Sequence, residues 1–216
     1  MFGKSWEKMS RKKFSITQFA KKNRILISRI WAVVIAVFIV FSRHSLEMSP
    51  WVELVFEVSG LIFIGLGTFG RLWASMYIGG NKTHHLVTEG PYSIVRNPLY
   101  FFSFLGALGI GLSSENVYVL LLIVTLFAVC YPPVILAEEG RLLETHREAY
   151  TEYKKRVPRF FPKLSLLHEP EVFPVRAMKY RNAFFGAMWF IWFYMILEIV
   201  EKFHEMGILP ILFRLP

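Results

Sequence analysis

The chain has 216 residues, of which 54% are hydrophobic and 17% aromatic, and it carries a formal charge of +9. Several apolar runs approach the roughly 20 residues that a helix needs to cross a bilayer, which excludes an ordinary soluble domain and points to an all-α integral membrane protein. The single Cys130 excludes an intramolecular disulfide and a cysteine-based metal cluster. The basic excess reads as loops facing anionic lipid rather than as a nucleic-acid surface.

Residues 1–24 are basic with scattered aromatics (Phe2, Trp6, Phe14, Phe19), which fits either a helix lying on head groups or a solvated tail. No short apolar core with a small-residue cleavage site follows, so the first apolar run is expected to stay as an anchor. That run, 26–41, is the first expected spanning helix. The second is 51–70, with Glu53 and Glu57 on one face near its start. Gly60, Gly65, Gly67 and Gly70 are spaced for close helix packing, and Arg71 marks the cytoplasmic boundary. Runs 99–112 and 117–137 flank the loop 113–116 and read as a helical hairpin whose first arm is short. Pro132 and Pro133 are expected to kink or unwind the second arm just before Glu138. A helical pattern continues over 138–153, with Leu142, Leu143, Ala149, Tyr150 and Tyr153 on one side. Residues 163–181, with prolines and mixed charge, read as a cytoplasmic linker, and 183–200 as a fifth spanning helix. The chain thus divides into a basic segment (1–24), a membrane core (25–162), the linker (163–181), and an additional C-terminal helix with its tail (182–216).

Lysines and arginines number nine before residue 30, one in 42–50, three in 70–98, none in 113–116, ten in 138–181 and two in the tail. They collect on alternate sides of the five expected helices, which puts the N-terminus in the cytoplasm. Two polar islands, 84–100 and 137–162, fall on that same side. A polar, turn-rich stretch at the mouth of membrane helices is costly unless it binds something, so the islands read as two halves of one cofactor pocket.

The first island runs His84-His-Leu-Val-Thr-Glu-Gly-Pro-Tyr92 and then Val95-Arg-Asn-Pro-Leu-Tyr100; the second holds Glu138-Glu139 and Tyr150-x-x-Tyr153-Lys-Lys-Arg-Val-Pro158. In this order the pieces resemble the membrane methyltransferases that include isoprenylcysteine carboxyl methyltransferase and the phospholipid N-methyltransferases, over about residues 60–162. The resemblance implies S-adenosylmethionine as methyl donor, held at the cytoplasmic face by His84, His85, Leu86, Val87, Tyr92, Asn97, Pro98, Leu99, Tyr100 and Glu138. These residue types suit the donor's chemistry. Glu138 can pair with its ammonium, and Tyr92 and Tyr100 can offer ring faces to adenine or sulfonium. The sulfonium is already a good leaving group, so no metal is needed; the protein must align donor and acceptor and exclude water.

Read without the resemblance, His84 and His85 fit interfacial loop residues without metal-site spacing, and Tyr150 and Tyr153 fit packing or interface anchors. Two positions depart from the family's pattern. Asn97 stands where the family commonly has His, and its amide can still bind the donor. Val134 stands where the prenylcysteine enzymes have an Arg that contacts the acceptor carboxylate. An anionic acceptor would then need another cation: Arg71, Arg96, Arg141 or Arg159. The expected catalytic residues are Glu139, as base toward an amine acceptor, with Arg159 and Arg96 as cations.

The expected function is therefore S-adenosylmethionine-dependent methyl transfer to a membrane-embedded acceptor, a lipid head group (amine or phosphate). A prenylcysteine-type carboxyl methyltransferase and a non-catalytic scaffold or lipid-binding protein of the same fold are the alternatives. The expected setting is a bacterial inner membrane, with a lipid or lipid-linked substrate, no nucleic acid, and an oligomeric state left open.

Overall fold

A computed structural model describes residues 42–44, 49–79, 85–210 and 213–215. The basic segment, the expected helix 26–41 and His84 lie outside those residues. Five helices follow one another: α1 (Pro50–Ile78), the short α2 (Pro91–Ile94), α3 (Pro98–Ser113), α4 (Val117–Arg156) and α5 (Ala177–Glu205). A 3-10 turn, Leu164–Leu166, lies between α4 and α5. The only strands among the described residues are β1 (Ser42–His44) and β2 (Phe213–Leu215), three residues each and paired in parallel, an addition to an otherwise all-α fold.

Among the described residues three helices, α1, α4 and α5, are long and apolar enough to cross a membrane. The 16 residues of α3 extend only about 24 Å at 1.5 Å per residue, short of a hydrocarbon core of about 30 Å. The 40-residue α4 reaches about 60 Å, so its second half continues beyond the apolar stretch and carries the second polar island. Asn116 caps its start, its Oδ1 accepting from the amides of Tyr118 (3.0 Å) and Val119 (3.3 Å).

Small residues set the closest helix contact. Gly60, Gly67 and Gly70 lie along one face of α1, and a Cβ at each would strike Ser113, Gly106 and the Phe102 ring of α3. With backbones this close, van der Waals contact rather than a hydrophobic effect holds the pair together in lipid. Gly65 points elsewhere and meets nothing, so the GxG pattern is not one contact surface. Helix α5 covers the pair: Ile64, Ile110 and Leu197 form a buried cluster against Phe190, Phe193 and Tyr194. Trp189 and Trp192 on its other side stay exposed.

Two expectations are corrected here. Backbone angles stay helical through Pro132 and Pro133; the departure comes later, at Arg147 (φ 39°, ψ −105°). The prolines each remove one backbone donor, a loss that a well-packed membrane helix tolerates. The break at Arg147 also shifts the register beyond it. Leu142, Tyr150 and Tyr153 turn inward with Val157, while Leu143 and Ala149 face outward. The segment between α4 and α5 is tied to α1. Glu169 accepts from Trp73 Nε1 (2.9 Å) and the Tyr77 hydroxyl (3.3 Å), and Phe173 packs on the Tyr77 ring at 4.5 Å between centroids.

Acids gather at the opposite end. Partial burial, then the charges of Glu201, Glu53, Glu57 and Glu198, push the Glu115 carboxyl up to about 7 from 4.5. The folded chain therefore holds that proton more tightly than the unfolded chain, and stability falls as pH rises from 4.5 to about 7. Glu115→Gln should flatten this limb, read as the melting temperature between pH 5 and 8; an unchanged slope would contradict the electrostatic origin.

Candidate functional site

The first island begins with a backbone constraint. Gly90 adopts φ 57° and ψ −131°, a region that glycine alone occupies readily, and any side chain there would run into the Tyr77 ring. Pro91 then opens α2 at the position where its missing N–H costs least. Gly90→Ala should cost about 1–3 kcal/mol through strain alone, with the Tyr77 clash in addition. Thermal unfolding in detergent checks this, and an unshifted melting temperature would rule it out.

The second island is laced onto the first through backbone groups. The Arg96 amide donates to the Pro158 carbonyl (2.8 Å), the Lys163 amide to Ile94 (2.9 Å) and the Gly90 amide to His168 (2.8 Å). The Tyr153 hydroxyl donates to the Tyr92 carbonyl at 2.7 Å. Ser93 Oγ donates to the Gly90 carbonyl and accepts from the His168 amide. The two islands thus form one cap over the ends of α1, α3 and α4.

Glu139 sits inside this cap, 6% exposed. Its carboxylate lies 3.4 Å from Arg96 Nε and 3.1 Å from an Arg159 terminal nitrogen. Asn97 Nδ2 donates both to Glu139 Oε1 and to the Arg159 carbonyl, each at 3.1 Å. All three expected catalytic residues therefore meet in one ion cluster around the buried Glu139, with Asn97 as its neutral bridge. An amide NH2 has two hydrogens for these two acceptors, which accounts locally for asparagine at this position.

Beside the cluster lies a cavity of about 670 Å³, between α1, α3 and α4. A stripe of α4 at near-heptad spacing faces it: Tyr131, Val134, Glu138, Arg141 and Thr145. Leu99 and Tyr100 line it from α3, and Arg71 from α1. The half-buried Cys130 lines it too. Tyr131 stacks on Phe127 (4.1 Å, 5°) and meets the Tyr100 ring edge-on at 5.4 Å. Its place was legible as two turns before Glu138 on one helix face, a spacing the motif did not include.

Of the residues expected at the donor, Leu99, Tyr100 and Glu138 line the cavity. Tyr92 is buried behind it, and its hydroxyl has no hydrogen-bond partner among the described residues. Burial, with Tyr153, Glu138 and Tyr100 nearby, keeps that phenol protonated well above its ordinary range. Leu86 packs on Tyr150 and Tyr153, and Val87 on Tyr77 and Tyr92. Asn97 and Pro98 are buried beneath the cap, and His85 is exposed. Among the described residues no group of three or more His, Cys, Asp or Glu is placed to hold a metal ion.

The cavity fits the donor that the resemblance implies. Its volume lies within the roughly 300–1,000 Å³ typical of small-molecule sites. Its wall offers an acid for an ammonium, a cation for a carboxylate and aromatic rings for adenine or sulfonium, with the orphaned Tyr92 hydroxyl behind.

The chain is similar to several known proteins. Residues 51–149 match the family model for phospholipid methyltransferase. The cobalt-zinc-cadmium resistance protein CzcN of Cupriavidus metallidurans is 33% identical over 195 residues, 90% of this chain and 89% of that one. The nickel-cobalt-cadmium resistance protein NccN of Alcaligenes xylosoxydans xylosoxydans is 32% identical over 203 residues, 93% of each. A protein-S-isoprenylcysteine O-methyltransferase of Schizosaccharomyces pombe is 32% identical over 118 residues, half of each chain. No solved structure matches.

Proposed function

The chain belongs to the family of integral membrane methyltransferases that includes the phospholipid and isoprenylcysteine methyltransferases, and we propose that it transfers a methyl group from S-adenosylmethionine to a lipid head group. The observation that carries this reading is the cavity lined by Leu99 and Tyr100 of the first polar island and by Glu138 and Arg141 of the second. When bound, the donor supplies an activated methyl on sulfonium. Glu138 takes its ammonium, and Arg141, three residues along the same helix, takes its carboxylate. Tyr100 and Tyr131 give ring faces to the cation. The cap keeps water from the methyl carbon.

Glu139 receives a positioning role in this reading. A carboxylate whose oxygens already meet two guanidiniums and an amide is committed to holding them. It fixes Arg96 and Arg159, and through them the two loops of the cap. An anionic oxygen as acceptor needs no base, which suits this arrangement better than an amine.

The alternation of basic loops supports a site on the cytoplasmic side, in reach of a water-soluble donor, and a bacterial inner membrane is the setting we propose. Methylation of an anionic head group would remove a negative charge, and with it a site for divalent cations, from the membrane surface. That is the link we draw to the relatives named for metal resistance.

Calorimetric titration of the detergent-solubilised chain with S-adenosylmethionine tests the reading, followed by incubation of native lipid extract with labelled donor. Saturable binding and a labelled lipid are expected. A folded chain that does not bind the donor would leave the scaffold alternative standing.

A further inference from the structure

We infer that Arg71 is the residue that selects the acceptor, by binding an anionic head group on a membrane-soluble molecule. The inference rests on the methyl-transfer reading above and names the substrate class for the same cavity.

Four arginines could serve an anionic acceptor, and the structure separates them. Arg96 and Arg159 are committed to Glu139, at 3.4 Å and 3.1 Å. Arg141 lines the cavity but is exposed, next to Glu138 on the extended part of α4. Arg71 alone comes from α1, lower on the cavity wall, and its guanidinium is largely removed from solvent. It donates to Ser103 Oγ and lies 5.8 Å from the centre of the Phe190 ring, two neutral partners. Its Nε is buried and makes no hydrogen bond, and no carboxylate pairs with it among the described residues.

A guanidinium in such surroundings is costly unless an anion completes it. The cavity supplies the room, since Arg71, Ser103 and Val134 line the same space. Valine at position 134 puts no charge opposite Arg71 at that level of α4, whose charged residues on the cavity, Glu138 and Arg141, come one and two turns later. Ser103 steers the guanidinium: its hydroxyl donates to the Leu99 carbonyl, which leaves its lone pair to accept from Arg71. The Phe190 face steadies the same cation from α5, which gives the C-terminal helix a part in the site. A phosphate or carboxylate oxygen in that space would give the guanidinium the anionic partner that it lacks among the described residues. A soluble anion and a lipid head group share this chemistry; the apolar part of the lining, Ile78, Leu99, Val134 and Leu142, favours the lipid.

The test uses the full chain in a neutral detergent, with short-chain phosphatidic acid, the matching uncharged diacylglycerol and inorganic phosphate as probes, and S-adenosylmethionine titrated separately. The wild-type chain is expected to bind phosphatidic acid and to bind diacylglycerol and inorganic phosphate far more weakly. Arg71→Met should weaken the phosphatidic acid about 10- to 100-fold and leave donor affinity unchanged. Arg71→Lys should recover part of the loss, which also covers the case in which the Met variant fails to fold. Equal binding of the lipid by wild type and Arg71→Met overturns the inference. Equal affinity for inorganic phosphate overturns its lipid half. Loss of donor binding in the wild-type chain would instead strike the methyl-transfer reading itself.

Discussion

Glu139→Ala should lower the stability of the fold by about 3–5 kcal/mol, the cost of leaving buried charges without their partner. The side chains of Glu139 and Arg96 are 8% and 7% exposed, so water cannot replace the lost contact as it would at a surface pair. Arg159 is half exposed and can turn outward, but Arg96 cannot. Its Nε and one terminal nitrogen already lack hydrogen-bond partners, so it has little else to fall back on. Asn97 would lose one of its two acceptors at the same time. Glu139→Gln should cost less, because the amide keeps one acceptor oxygen for Asn97 or an arginine. Thermal unfolding followed by tryptophan fluorescence reads both variants. Protease sensitivity at 158–168 should rise with the loss, since the loops of the cap are what the cluster holds. A melting temperature that does not move would mean that the cluster is not a keystone of the cap.

Much of this arrangement was visible in the residues. The apolar runs located α1, α3, α4 and α5, because a membrane helix must satisfy its backbone internally and so shows as an uninterrupted apolar stretch. The polar islands stood out for the same reason. Other features depend on three-dimensional neighbours that no local pattern records. The prolines at 132 and 133 look like a break, yet the backbone departs at Arg147, a residue with no helix-breaking property of its own. Gly65 belongs to an evident glycine series but faces away from the contact that Gly60, Gly67 and Gly70 make. Glu138 and Glu139 are adjacent, and on a helix adjacent residues point about 100° apart; one faces the cavity and the other the ion cluster. Their division of labour is a matter of which helix face meets which neighbour. Arg71 read as a boundary charge and as one of four candidate cations, and only its place on the cavity wall, beside Ser103 and Phe190, sets it apart from the other three.

The adjacent acids therefore give opposite results when changed in the same way. Glu138→Gln should weaken S-adenosylmethionine about 10- to 100-fold, the range for losing a charge-assisted hydrogen bond, with little change in melting temperature. Glu138 is partly exposed on the cavity wall, with Arg141 and Leu142 as its neighbours along α4, so an amide of the same shape fits without a new void. The amide still offers an oxygen to the ammonium but no charge, and in a site walled by Leu99, Tyr100 and Tyr131 the charge is what counts. Because the attraction is electrostatic, the wild-type affinity should fall with added salt more steeply than that of the variant. Paired with Glu139→Gln, the experiment crosses over: one variant keeps its melting temperature and loses donor, the other loses melting temperature first. Titration of both against the wild-type chain reads the difference directly. If Glu138→Gln binds the donor as tightly as wild type, the ammonium is held elsewhere and the donor lies in the cavity in a different orientation. If it loses donor and melting temperature together, Glu138 belongs to the frame of the cap, and the cavity must find another acid for the donor.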